Sequence, residues 1–211
     1  MAQPERRRRL RRDAGSAGPQ ASDPATDQPA LAPSGGPAAA AGAGLQPAAA
    51  ASQPLPPWLT PELRRIAARI VAGHASGFGR PLMARTAPEH LAEELFSLDT
   101  VVMAHDGADP GGDPGPRLIY ANAAALRLWR RPWREQVGMP SRLTAEPQER
   151  PDRARMLVSA LEQHAIRGYC GIRIDSHGRR FQIRGARLWT LRDADGQPCG
   201  QAAAFDDWWW L

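Results

Sequence analysis

Lysine is absent from this 211-residue chain: all 27 basic side chains are arginine. With 20 glycines, 21 prolines and abundant alanine, that bias most simply reflects a GC-rich coding sequence. A net charge of +5 and a pI near 10.4 are therefore weak grounds for a nucleic-acid partner. Cysteine is scarce, and Cys170 and Cys199 lack metal-ligand spacing, which points to a reduced, cytoplasmic protein. No apolar run approaches the roughly 20 residues that span a bilayer, so no membrane segment is expected. The arginine cluster Arg6–Arg12 leads into Asp, Gly and Ser rather than an apolar stretch, which argues against a secretory leader. Residues 1–57 also lack aromatic and β-branched aliphatic side chains. Their only bulky apolar residues are Leu10, Leu31, Leu45 and Leu55. Such a segment cannot bury enough surface to offset its ordering entropy, so a disordered Arg/Ala/Pro-rich tail is expected over 1–57. Its six arginines give the nucleic-acid reading its only support, against four acids in the same segment.

All seven tryptophans, both tyrosines and all four phenylalanines fall in 58–211, so the core is there. Thr60 and Pro61 open a helix in which Leu63, Ile66, Ala67, Ile70 and Val71 share a face, with Gly73 or Gly77 as its expected end. A shorter amphipathic helix is expected from Pro88 to Phe96. A strand over Thr100–Ala104 is broken by the turn-forming stretch DGADPGGDPGP, and RLIYA, residues 117–121, reads as a second strand. Asn122 caps a helix to about Arg130, Pro132 starts a short turn, and Glu149–His164 reads as a helix burying Ala154, Leu157, Val158 and Leu161, with Arg153 and Arg155 pointing outward.

The last third changes period. YCGIRID, RRFQIRGARLWTL and CGQAAAFDDW read as three strands joined by hairpin turns at Asp175–Gly178 and Asp193–Gly196. In the middle strand the alternation slips near Gly185, which either a bulge or a sheet covered on both faces would explain. Two strands, a helical crossover and a three-strand meander describe a PAS-type α+β topology, with cystatin-like cones as a competing arrangement. Cys170 and Cys199 then lie on the third and fifth strands, separated by the fourth, roughly 9–10 Å apart and too far for a disulfide.

The stretches YANAAALRLW (120–129), MPSRLTAEPQERPDRARML (139–157), GYCGIRIDSHGRRFQI (168–183) and LWTLRDADGQPCGQAAAF (188–205), taken together, resemble the MEKHLA domain. The resemblance covers about 58–211. The loop Asp106–Pro116 is longer than the family's short turn there, and the tail has no counterpart. The family is PAS-like and includes stand-alone bacterial proteins. The resemblance implies a sheet of about five antiparallel strands with helices packed on one face, and a role in sensing or association rather than catalysis. It names no cofactor.

PAS-like domains hold small molecules between the inner sheet face and the short helices after the second strand. Tyr120, Asn122, Trp129 and Arg142 lie on elements expected to surround such a pocket, as do Tyr169, Arg173, Arg184, Trp189 and Gln201. An arginine there could pair with an anionic ligand. The plainer reading is that Asn122 caps its helix, Arg142 anchors the long segment around it, and Arg173 and Arg184 solvate the outer sheet face. The helix NAAALRLW carries no cysteine for a flavin adduct, and His164 is the one candidate axial ligand for haem. Asp106, Asp109 and Asp113 do not have the spacing of a Ca²⁺ loop. An enzyme using the same cavity would need His105 to meet an acid such as Asp99 or Glu149. Trp208, Trp209 and Trp210 alternate faces and cannot all enter one core, so a homodimer through the first helix and the outer sheet face is expected to take the remainder.

Overall fold

The structure, a computed structural model, describes residues 55–84 and 86–211. The expectation of a disordered arginine-rich tail lies, but for its last three residues, outside them. Helix α1, Pro61–Phe78, starts where Thr60 accepts a hydrogen bond from the Leu63 amide, with Pro61 in the first turn. It does not stop at Gly73 or Gly77; it ends at Gly79, whose φ of +66° needs a glycine. The two inner glycines serve close packing instead. A Cβ on Gly73 would sit 2.9 Å from Trp189 Cδ1 and 3.2 Å from the Thr190 carbonyl, and one on Gly77 2.8 Å from Ala165 Cβ. Gly73→Ala is therefore expected to lose about 1–2 kcal/mol in urea denaturation even though alanine is the better helix former. A stabilised variant would show that α1 is free to lift.

Helix α2, Leu91–Ser97, leads into strand β1, Val101–Asp106. Strand β2, Leu118–Ala121, follows the long loop, and helices α3, Ala123–Trp129, α4, Trp133–Gln136, and α5, Arg150–Gln163, form the crossover. Strands β3, Ala165–Ile174, β4, Arg180–Arg192, and β5, Pro198–Phe205, complete the meander, and β6, Asp207–Trp210, returns against β4. The sheet is antiparallel with spatial order β2-β1-β5-β4-β3, the order expected of a PAS-type topology. The two hairpins share one turn chemistry: Asp175 Oδ1 accepts from the His177 and Arg179 amides, and Asp193 Oδ1 from the Asp195 and Gln197 amides.

Both explanations of the slip in β4 hold. Gly185 has φ +69°, and the pairing with β3 shifts register between Tyr169↔Ala186 and Gly171↔Ile183, so a bulge carries Phe181, Ile183, Ala186 and Leu188 onto one face. The sheet is also covered on both faces, which corrects the expectation of helices on one face only. α3 and α5 pack on the inner face with Val101, Leu188 and Phe205. α1 and α2 pack on the outer face with Val102, Ala104, Trp189 and Ala204. The cause is the pattern in β1 and β5: small apolar residues on the outer face leave room for the stripe Ile66, Ala67 and Ile70 of α1. The outer face over β1 and β5 is thereby taken by the chain's own first helix, while Cys170 on β3, Arg184 on β4 and Trp209 on β6 stay exposed.

In β6 the tryptophans alternate as expected. Trp208 and Trp210 pack on Phe181, with ring centroids at 6.1 and 5.6 Å, while Trp209 is exposed beneath the Arg184 guanidinium. Cys170 and Cys199 are both free. No helix among the described residues is long and apolar enough to cross a membrane.

Candidate functional site

A cavity of about 70 Å³ lies between the inner sheet face and the crossover. Its walls are apolar: Leu118, Trp129, Met156, Leu157, Ile183 and Phe205. Its floor is set by register, because His105 and Gln201 are direct partners across β1 and β5 and both point to the inner side. A bulge in β2 opposite Ala104 and His105 turns Leu118 inward while Tyr120 goes outward.

His105 and Gln201 are almost fully buried, at 6% and 2% exposure. His105 Nδ1 bonds the Asp106 carbonyl at 2.7 Å, while Nε2 has no partner. Burial pushes its pKa down to about 4; the carbonyl bond works against that shift and the Arg153 charge adds to it. The ring is neutral at physiological pH. Gln201 Nε2 donates to the Leu157 carbonyl of α5 at 2.9 Å, which leaves Oε1 without a partner. At the other side stand Arg153 from α5 and Arg173 from β3. Arg173 donates to the Tyr169 hydroxyl and, at 2.7 Å, to the Ile172 carbonyl. Desolvation, then the charge of Arg173, pushes Arg153 down to about 10, with Tyr169 acting in the opposite direction. Among the described residues neither arginine belongs to an ion pair, and no carboxylate lines the cavity.

Of the nine residues singled out from the sequence, the structure brings Trp129, Tyr169, Arg173 and Gln201 together here. The other five lie elsewhere. Tyr120 is buried in the outer cluster against Trp133, and burial holds its hydroxyl well above the usual phenol range. Trp189 is on the outer face, its indole N–H donating to the Ile70 carbonyl. Asn122 is a buried junction whose amide is fully used. Arg142 pairs with Asp113 at 2.7 Å and so pins the long loop. Arg184 is exposed and paired with Asp207. His164, the haem candidate, is exposed at the end of α5 beside Arg192, away from the cavity.

Arg153 was missed because α5 presents a different face from the one its apolar residues suggest. Arg153 and Met156, both half-buried, share the inward side with the buried Leu157 and Ala160, while Val158 is exposed. The spacing i, i+3, i+4, i+7 was legible, but a charged residue in it was read as solvent-facing. The acid–base pair of the enzyme reading does not form. Asp99 is fully exposed beside Arg127, Glu149 does not line the cavity, and Asp106 turns its carboxylate to the Ala108 and Arg117 amides. A flavin adduct does not fit either: no cysteine lines the cavity, and its volume is under half of the roughly 150 Å³ that holds one benzene.

A larger groove of about 570 Å³ runs along α1. Its one buried polar side chain, Thr190, already donates to the Ala160 carbonyl. Between the two, the inner cavity is the one lined by orphaned buried polar groups: His105 Nε2, Gln201 Oε1 and Trp129 Nε1.

The family model for the MEKHLA domain matches residues 64–210. No curated protein matches the chain. Among solved structures it is similar to a PAS domain from Colwellia psychrerythraea (14% identity, 55% of this chain and 92% of that one, TM-score 0.47). It is also similar to an RNA-binding light-oxygen-voltage receptor, at 18% identity over 58% of this chain but only 36% of the receptor, with TM-score 0.47. A light-oxygen-voltage domain studied with a flavin analogue gives 17% identity over 57% of this chain and 84% of that one, with TM-score 0.44. These likenesses concern the fold alone.

Proposed function

The chain belongs to the MEKHLA domain family, and from that premise we propose that its folded part is a cytoplasmic sensory module that admits a small molecule to the cavity between the inner sheet face and α5. The observation that carries this reading is the pair of buried acceptors, His105 Nε2 and Gln201 Oε1, left without partners beside two arginines that lack a counter-charge. Orphaned buried polar atoms are costly, on the order of 1–3 kcal/mol each, and a ligand that satisfies them recovers that cost. Gln201 also ties the floor to the backbone of α5, so a molecule that engages its amide acts directly on the helix that roofs the site. The module senses by a change in the packing of α5, and the reading needs no catalytic step.

Native mass spectrometry of the full chain beside Ala203→Leu tests this. Ala203 lines the cavity, and leucine fills it. The wild type is expected to carry extra mass that is lost on denaturation, and the filled variant to fold without it. A wild type without extra mass, whose melting is unmoved by a library of small metabolites, would remove the support for a ligand site.

A further inference from the structure

The polar groups of the inner cavity differ in what they lack, and the difference narrows the ligand. His105 and Gln201 face each other across β1 and β5, a pairing that sets Cβ atoms about 5 Å apart. The Asp106 carbonyl can only accept, so His105 Nδ1 carries the ring proton and Nε2 is a bare acceptor. The Leu157 carbonyl likewise fixes the amide nitrogen of Gln201 and leaves Oε1 as the second acceptor. The floor thus presents two adjacent acceptors, with the second N–H of the Gln201 amide beside them and the unpartnered indole N–H of Trp129 in the wall. Across the cavity Arg153 and Arg173 offer only donors, and no carboxylate answers their charge there. A matching molecule carries a proton donor at one end and an anion at the other, with an apolar body to lie along Leu118, Met156 and Phe205. An ammonium donor is disfavoured, since Arg153 stands close enough to act on His105 and would repel it. A hydroxyl is neutral and can be shared by both acceptors. The volume of about 70 Å³ keeps the molecule short.

On the reading of this cavity as a ligand site, we propose that it takes a short aliphatic hydroxy acid, its carboxylate held by Arg153 with Arg173 and its hydroxyl donated to His105 and Gln201. Carboxylate held by a guanidinium is bound by charge-assisted hydrogen bonds, about twice as strong as neutral ones, so the acid group supplies most of the affinity and the hydroxyl the selectivity.

The test uses the full chain and three probes that differ by one group and are short enough for the cavity: hydroxyacetate, acetate and hydroxyacetamide, titrated by calorimetry. The hydroxy acid is expected to bind at least about tenfold more tightly than either of the others, as loss of a buried hydrogen bond to a charged or orphaned group implies. Arg153→Met is expected to erase the preference for acid over amide and keep that for hydroxyl. Gln201→Leu is expected to do the reverse. The wild-type comparison stands even if a variant folds poorly. Equal binding of all three probes would overturn the hydroxy-acid assignment, with water satisfying the two acceptors, and would leave the cavity as a ligand site. No binding of any probe, together with a copurified neutral molecule in the native spectrum, would overturn the assignment in the same way. No binding and no copurified molecule would end both readings.

Discussion

Asn122→Ala is expected to lower the stability of the full chain by about 4 kcal/mol, several times the ~1 kcal/mol that an ordinary helix cap contributes. The difference lies in what the amide joins. Its Oδ1 accepts from the Ala125 amide, which caps α3, and also from the Val102 amide of β1, both at 3.0 Å. Its Nδ2 donates to the carbonyls of Leu98 and Thr100 at 3.1 and 2.7 Å, where α2 turns into β1. The side chain is fully buried. Alanine leaves two amides and two carbonyls short of a partner at a point where α2, β1 and α3 meet, and each such buried group costs on the order of 1–3 kcal/mol. Urea denaturation monitored by circular dichroism measures the effect. A loss of only about 1 kcal/mol would mean that water enters the junction, and that Asn122 is a cap and nothing more.

The second large effect is a loss of stability in mild acid. His74 on α1 is fully buried between Phe78 and Trp189. Its Nδ1 lies 3.1 Å from the Arg80 carbonyl, and its Nε2 lies 2.9 Å from an Arg187 guanidinium nitrogen. The carbonyl demands a proton on Nδ1, and the guanidinium demands a lone pair on Nε2. Only the neutral ring satisfies both. Burial first, then the Arg187 charge, pushes the pKa of His74 down to about 4, and that of His105 falls to about 4 as well, mainly through burial. The unfolded chain takes up protons near 6.5, so between 6.5 and about 4 it binds more protons than the fold does. Stability is then full above 6.5 and falls as the pH drops towards 4, by about 3 kcal/mol for each histidine. His74→Gln is expected to remove about half of that pH dependence. Parallel stability curves for variant and wild type over this range would show that His74 is protonated within the fold, and would contradict the buried contact between α1 and the outer sheet face.

Much of the architecture was legible because it is local. The hairpins announce themselves through Asp-x-x-Gly turns, α3 through the Asn122 cap, and the bulge in β4 through a phase slip at Gly185. The placement of α1 was not local. Its apolar stripe says that it must be buried, but the partner is a set of alanines on β1 and β5, distant in sequence, and Gly73 and Gly77 read as stops because nothing nearby shows that they face Trp189 and Ala165. The site was half legible for a related reason. Trp129, Tyr169, Arg173 and Gln201 follow from the order of elements. His105 was recognised as near a pocket but assigned an acid partner that never arrives. Arg153 occupies a half-buried, inward-facing helical position that composition alone assigns to solvent. The residues that sit elsewhere, Tyr120 and Trp189 above all, were misplaced because a sheet covered on both faces offers an aromatic side chain two cores, and only register decides between them.

The most direct test of the cavity as a sensory site is a crystal structure of the chain as purified, without added ligand. Continuous density too large for water, reaching from His105 and Gln201 to the guanidinium of Arg153, is the result expected. A closed cavity, with Met156 folded into it and Arg153 turned out to pair with a surface carboxylate, would contradict the account.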